Sequence, residues 1–106
     1  MKRPKTTDEY VDLMHQAVYE VDEIRSIMEE DSDEFAPFKP FINELDSQLR
    51  QMYDDMVSGR YKFDPNGPEL PFMHIVRRLG PRLPFGLLLK VIDQTHREGL
   101  DIDSSK

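Results

Sequence analysis

Residues 10–28 read YVDLMHQAVYEVDEIRSIM, and apolar side chains recur in this stretch at every third or fourth position. The recurring positions are Tyr10, Met14, Ala17, Val21, Ile24 and Met28. Alternating steps of four and three residues keep side chains on one face of an α-helix. The stretch therefore predicts a long amphipathic helix, running from an N-cap at Thr7 to about residue 29, whose apolar stripe another part of the protein has to cover.

A second stripe with the same spacing follows along the chain. It consists of Phe38, Ile42, Leu45, Leu49, Met52 and Met56. Proline is tolerated in the first turn of a helix, so this helix is expected to begin between Pro37 and Pro40. It is expected to end at Val57 or Ser58, because Gly59 can cap a helix C-terminus. The connection between the two helices is short, which favours an antiparallel hairpin. Asp46 and Arg50 are spaced to pair on the second helix.

The tripeptide Leu-Pro-Phe occurs at 70–72 and again at 83–85, and each copy is expected to open a helix, over 71–79 and 84–98. Gly80 and Gly99 close these helices. The loop 61–69 precedes them, and Tyr61 and Phe63 are expected to pack it onto the bundle. The fold class predicted is all-α, with the hairpin covered by two shorter C-terminal helices in a small four-helix bundle. Residues 1–106 form one domain with frayed tails at 1–6 and 101–106; a homodimer that covers the stripe with a second hairpin is the competing arrangement.

The charge is uneven along the chain. The net charge is −7, and residues 1–59 hold six Lys and Arg against 15 Asp and Glu. Such an acidic chain lacks the positive surface that a general binder of nucleic-acid phosphates needs, so nucleic acid is an improbable partner. No apolar run approaches the ~20 residues of a membrane span, and there is no cysteine. We expect a cytoplasmic protein without disulfides, thiolate metal sites or a membrane anchor.

Five carboxylates crowd the end of the first predicted helix. They are Glu29, Glu30, Asp31, Asp33 and Glu34. Negative charge is opposed by the helix dipole at this end, so their accumulation calls for an explanation. A solvated acidic loop is the simpler one. The functional explanation is that these residues, together with the outward acids of the first helix, form a docking surface for a protein partner with a basic surface.

The spacing Asp-x-x-His occurs twice, in Asp12 with His15 and in Asp93 with His96. An acid and a histidine three residues apart share one helix face, and di-iron bundles use the related Glu-x-x-His spacing. Asp12 and His15 lie away from the apolar stripe, however, so they are expected to point outward. A metal-binding bundle with redox or oxygenase chemistry is for this reason only the alternative hypothesis. No other cofactor is predicted.

The last two helices, joined through Gly80, resemble a helix-turn-helix in outline. Positive charge is concentrated here, in Arg77, Arg78, Arg82, Lys90 and Arg97. The second helix of this pair begins Phe85-Gly86-Leu87-Leu88-Leu89. A recognition helix that contacts DNA bases needs polar side chains at these positions. DNA binding is thus a second alternative, and the arginines are expected to pair with the acidic half. No nucleophile motif or phosphate-binding glycine loop supports an enzyme. The sequence favours a non-catalytic interaction, regulatory or accessory protein.

Overall fold

A computed structural model describes residues 2–30 and 39–101 of the protein. This part of the chain contains four α-helices and no strand. They are α1 (Thr7–Glu30), α2 (Lys39–Val57), α3 (Met73–Leu79) and α4 (Gly86–Glu98), with a 3-10 turn over Gly80–Arg82. Helix α1 packs against α2 and α4, and α3 packs against α4. The predicted hairpin covered by two shorter helices is confirmed.

The two apolar stripes form the centre of the core. Tyr10, Met14, Ala17, Val21 and Ile24 are buried on α1, as are Ile42, Leu45 and Leu49 on α2. Met28, Met52 and Met56 are half-buried at the edges, and Phe38 lies outside the described residues. The C-terminal region covers the stripes with Phe72, Ile75, Val76, Leu79, Leu83, Leu88, Leu89 and Ile92. The stripes are thus covered within one chain, while a homodimer stays a separate prediction.

Helix α1 is capped one residue earlier than predicted. The backbone N–H of Glu9 donates to Oγ1 of Thr6 at 3.1 Å, so Thr6 and not Thr7 supplies the capping oxygen. The Glu9 carboxylate accepts the backbone N–H of Lys5 at 2.9 Å. Thr6 lies three residues before Glu9. At this spacing, a threonine and a glutamate can accept hydrogen bonds from backbone N–H groups that have no partner within the helix at its N-terminus.

Both Leu-Pro-Phe helices begin two residues later than predicted, because a hydrogen-bonded turn precedes each one. The N–H of Met73 donates to the carbonyl of Leu70 at 3.0 Å, and that of Gly86 to Leu83 at 3.2 Å. The predicted ends are confirmed. Gly99 caps α4 at φ 85°, a backbone conformation that glycine adopts without strain.

The segment before α1 is held against the end of α4. The N–H of Asp101 donates to the carbonyl of Pro4 at 2.9 Å, and Pro4 is buried. The Arg3 guanidinium lies 3.1 Å from the Glu98 carboxylate and 3.6 Å from that of Asp101. These contacts differ from the frayed tail predicted over residues 1–6, because the two ends of the chain supply partners for each other. Residues 102–106 of the other predicted tail lie outside the described part.

Candidate functional site

The outward side of α1 combines carboxylates with one exposed aromatic ring. Asp12, Tyr19 and Glu23 lie within about 40° of one another around the helix, on the side opposite the buried stripe. Tyr19 is 53% exposed, and its hydroxyl donates to Oε1 of Glu23 at 2.7 Å. This hydrogen bond raises the pKa of Tyr19, because the protonated phenol is the donor. Together with Asp8 and Glu20, these residues are called the acidic face of α1.

Most carboxylates of α1 have no cation beside them in the described part of the chain. The exception is Asp22, whose Oδ1 lies 2.6 Å from the Arg50 guanidinium. Arg25, the one cation of α1, points to Asp46 of α2 at 3.2 Å. Arg50 also contacts Asp46 at 2.8 Å, which confirms the predicted pair. This network joins the two helices and leaves the charges of the acidic face unneutralised.

The arginines of the C-terminal region do not supply the missing charge in the way that the sequence suggests. Arg77 pairs with Glu69 at 2.6 Å, within its own half of the chain. The Arg78 guanidinium lies over the ring of Phe41, 5.8 Å from its centroid. The His74 ring lies 3.4 Å from the Glu44 carboxylate of α2. His74 is exposed there, although its neighbours Met73 and Ile75 are buried.

The predicted docking segment is described in part. Glu29 is exposed in the last turn of α1, where the helix carries no basic residue. Glu30 ends the helix, and its side chain is outside the described part, as are Asp31, Asp33 and Glu34. The exposed acidic surface that the structure does describe therefore runs along α1 itself.

The two Asp-x-x-His pairs occupy different environments. Asp12 and His15 are exposed as expected, and the His15 ring lies 5.7 Å from that of Tyr53. Asp93 is buried, with one oxygen 2.6 Å from the N–H of Leu70 and the other 3.1 Å from the Arg97 guanidinium. Both oxygens of Asp93 therefore already have partners. Within residues 2–30 and 39–101, no group of three histidine, aspartate or glutamate side chains is placed to hold a metal ion.

His96 belongs to a hydrogen-bonded chain that the sequence did not reveal. Its Nδ1 lies 2.6 Å from the Tyr61 hydroxyl, which lies 2.8 Å from the Tyr10 hydroxyl. Tyr10 also donates to the carbonyl of Ile92 at 3.3 Å. Burial raises the pKa of Tyr10 and raises that of Tyr61 to about 12, so both phenols keep their protons. Burial lowers the pKa of His96, against the opposing pull of the Asp64 and Asp93 carboxylates.

The same chain attaches the loop between α2 and α3 to α4. Tyr61 and Phe63 both pack against Tyr10, with ring centroids 5.6 and 5.7 Å away, as predicted for these loop aromatics. The N–H of Asp64 donates to the carbonyl of His96 at 2.9 Å, and that of Asn66 to Arg97 at 3.2 Å. The loop thereby satisfies carbonyls that a helix end leaves free. This cluster has a structural role, since its polar groups are satisfied by one another.

The start of α4 faces the core and does not present polar side chains. Phe85, Leu88 and Leu89 are buried there, as their apolar character predicts. Base recognition by a helix inserted in DNA requires polar side chains at its beginning. Nothing in this geometry therefore favours the DNA-binding alternative.

Comparison with models of protein families, with curated proteins and with solved structures gives no match for this chain. Among the described residues, no helix has the length and apolar character needed to cross a membrane.

Proposed function

We propose that this protein is a non-catalytic interaction, regulatory or accessory protein of the cytoplasm, and that the acidic face of α1 binds a basic surface of a partner protein. The observation that carries the proposal is the exposed Tyr19 set among carboxylates without cationic neighbours in the described chain. The face is rigid, because the opposite side of the same helix is the buried stripe of the core.

Charge and aromatic contact contribute in different ways. The uncompensated carboxylates attract a basic partner over roughly a Debye length, ~8–10 Å in physiological salt, and so favour encounter and orientation. Tyrosine adds a large contact area with few rotatable bonds, and its ring face attracts the guanidinium or ammonium group of a partner. The hydrogen bond from Tyr19 to Glu23 holds the ring in place before binding.

The test compares two variants that remove three charges each. In the first, Asp12→Asn, Glu20→Gln and Glu23→Gln remove charge from the acidic face. Each variant and the unchanged protein are used as bait in a lysate of the native host, with washes at low and then high salt. We expect the unchanged protein to retain a stoichiometric partner that high salt releases, because exposed charge pairs are screened. The first variant should retain it at least tenfold less well.

The matched control removes the same number of charges elsewhere, through Glu44→Gln, Asp54→Asn and Glu69→Gln. These three residues are exposed and lie off α1. The control should retain the partner as the unchanged protein does. Equal retention by both triple variants would contradict the acidic face as the docking surface. A third variant, with Glu29, Glu30, Asp31, Asp33 and Glu34 replaced by Gln and Ser, measures how far the predicted segment extends that surface.

No described contact favours the two alternatives over this proposal. Against a metal-binding bundle, both oxygens of Asp93 already contact other groups, the N–H of Leu70 and the guanidinium of Arg97. Against DNA binding, the start of α4 is apolar and buried in the core.

A further inference from the structure

A second surface of opposite charge lies on the C-terminal helices. The 23 residues between Glu69 and Asp93 contain no aspartate or glutamate, although the whole chain has a net charge of −7. They contain four cations, Arg77, Arg78, Arg82 and Lys90, all exposed. Arg77 and Arg78 have the partners Glu69 and Phe41. Arg82 and Lys90 make no ion pair with any carboxylate in residues 2–30 and 39–101.

Beside Lys90 the surface opens into a groove of about 360 Å³, where α3 turns into α4, and Arg82 lies in the chain between two residues that line it, Pro81 and Leu83. Val76 and Leu83 form its floor, and both are buried. Gly86 has no side chain to fill the space. A Cβ placed there would lie 3.8 Å from the nearest atoms of Val76 and Leu83, which is ordinary contact distance. The groove therefore has room for part of a side chain that the chain itself does not provide.

The rim of the groove carries one apolar and one charged side chain on the same face of α4. Leu87 is 59% exposed, and Lys90 follows it by three residues. A single exposed leucine is common on protein surfaces and has no meaning by itself. An exposed leucine at the rim of a groove and one helical turn from an unpaired lysine is a different arrangement, because apolar contact and charge then act on the same ligand.

We propose that this basic groove, defined by Val76, Leu83, Gly86, Leu87 and Lys90 with Arg82 beside it, binds an acidic amphipathic segment of a partner protein. An apolar side chain of that segment lies over Gly86 and against Leu87. Its carboxylates face Arg82 and Lys90. Charge complementarity selects the ligand, because every residue that lines the groove belongs to the segment 70–92, which contains cations and no aspartate or glutamate.

A short peptide fits these observations better than a larger polyanion. Nucleic acid and anionic membranes extend far beyond the groove, and their phosphates would meet the net charge of −9 carried by residues 1–59. The apolar floor of Val76 and Leu83 also has no counterpart in a phosphate backbone. The surface is separate from the acidic face of α1 and takes a partner of opposite charge, so it does not depend on the proposed function.

The test uses a synthetic helical peptide of Glu and Leu residues with a single Trp on its apolar side. The protein contains no tryptophan, so fluorescence excited in the tryptophan band reports on the peptide alone. We expect a saturable blue shift as the Trp enters the groove. Lys90→Glu should weaken binding at least tenfold, and Leu87→Ser severalfold. Both side chains are exposed, so these variants should keep the helical circular dichroism of the unchanged protein.

Lys62→Glu is the matched control, since Lys62 is an exposed cation in the loop before α3 and the charge change is the same. It should bind the peptide within twofold of the unchanged protein. Equal losses for Lys90→Glu and Lys62→Glu would overturn the groove as the site. A second control peptide has its Leu and Trp residues replaced by Ser, and its binding is measured by the fluorescence anisotropy of an attached dye. If it binds as tightly as the first peptide, the effect is general charge attraction and the groove is overturned as the site.

Two further measurements identify a different occupant if there is one. Tighter binding to phosphatidylserine vesicles or duplex DNA than to the peptide, with the same sensitivity to Lys90→Glu, would overturn the peptide in favour of a larger polyanion. A concentration-dependent dimer in sedimentation, abolished by Lys90→Glu, would overturn it in favour of a second copy of the chain.

Discussion

The α1–α2 hairpin and the loop between α2 and α3 are held in the molecule by different forces. The hairpin is held by two apolar stripes, of which Met14, Val21 and Leu49 are fully buried. The loop is held on α4 by directed contacts, of which Tyr61 with His96 and Leu70 with Asp93 are the shortest. Apolar burial depends on area and tolerates small shifts, whereas each hydrogen bond depends on one partner. The cost of a substitution should therefore follow the apolar volume removed in the first region, and the loss of one particular partner in the second.

The largest effect is expected in the hairpin. Leu49→Ala should lower the free energy of unfolding by about 2–5 kcal/mol, because it leaves a cavity at a fully buried position. Urea denaturation measures the loss. Val57→Ala on the same helix is the control, since Val57 is 56% exposed and its change should stay within about 0.5 kcal/mol. Similar losses for the two variants would show that the stripe is not the core of the hairpin.

A smaller and more local effect is expected at the end of the loop. Asp93→Ala should lower the free energy of unfolding by about 2–3 kcal/mol, because the partly buried N–H of Leu70 loses a charged acceptor and the buried ion pair with Arg97 is removed. Amide hydrogen exchange at Leu70 should become faster. Asp93→Asn keeps an acceptor oxygen and should cost less. Arg97→Ala also destabilises, because it leaves the buried Asp93 carboxylate without its cation, but it keeps the hydrogen bond from Leu70. Amide exchange at Leu70 as fast in Arg97→Ala as in Asp93→Ala would contradict the importance of the Leu70 contact.

The smallest effect is the response of the loop to pH. His96 has a lowered pKa in the folded protein, so the unfolded chain takes up its proton first as the pH falls below about 6.5. The free energy of unfolding should therefore decrease from pH 7.5 to 5.5, and His96→Gln should reduce that slope. His15→Gln, at an exposed position outside this cluster, controls for the change of residue type itself. An identical slope in the unchanged protein and in His96→Gln would exclude His96 as the source.

The difference between the regions also explains what the sequence could predict. The stripes, the glycine helix ends and the Asp46–Arg50 pair depend on residues one or two turns apart, so their spacing is visible in the sequence. The contacts of Tyr61 with His96 and Leu70 with Asp93 join residues 35 and 23 positions apart. No periodic signal marks such pairs. Asp93 in particular has the sequence pattern of a surface acid and lies in the core.

The candidate site divides in the same way. The outward position of the acids on α1 follows from the helical period and could be predicted from it. The groove beside Gly86 could not, because it depends on how the turn at Gly80–Arg82 places Val76 against the start of α4. The exposed Leu87 has the same apolar character as the buried Leu88 and Leu89, and only the packing of the helix distinguishes them.

The contact between Pro4 and Asp101 has a consequence for the order of folding. It closes a loop that contains nearly the whole described chain. The entropic cost of closing a loop increases with the length of chain that it encloses. The hairpin joins residues much closer in sequence, so it is expected to form first and the terminal contact late. Because this contact holds Pro4 beside Asp101, both ends of the described chain lie on the same side of the bundle.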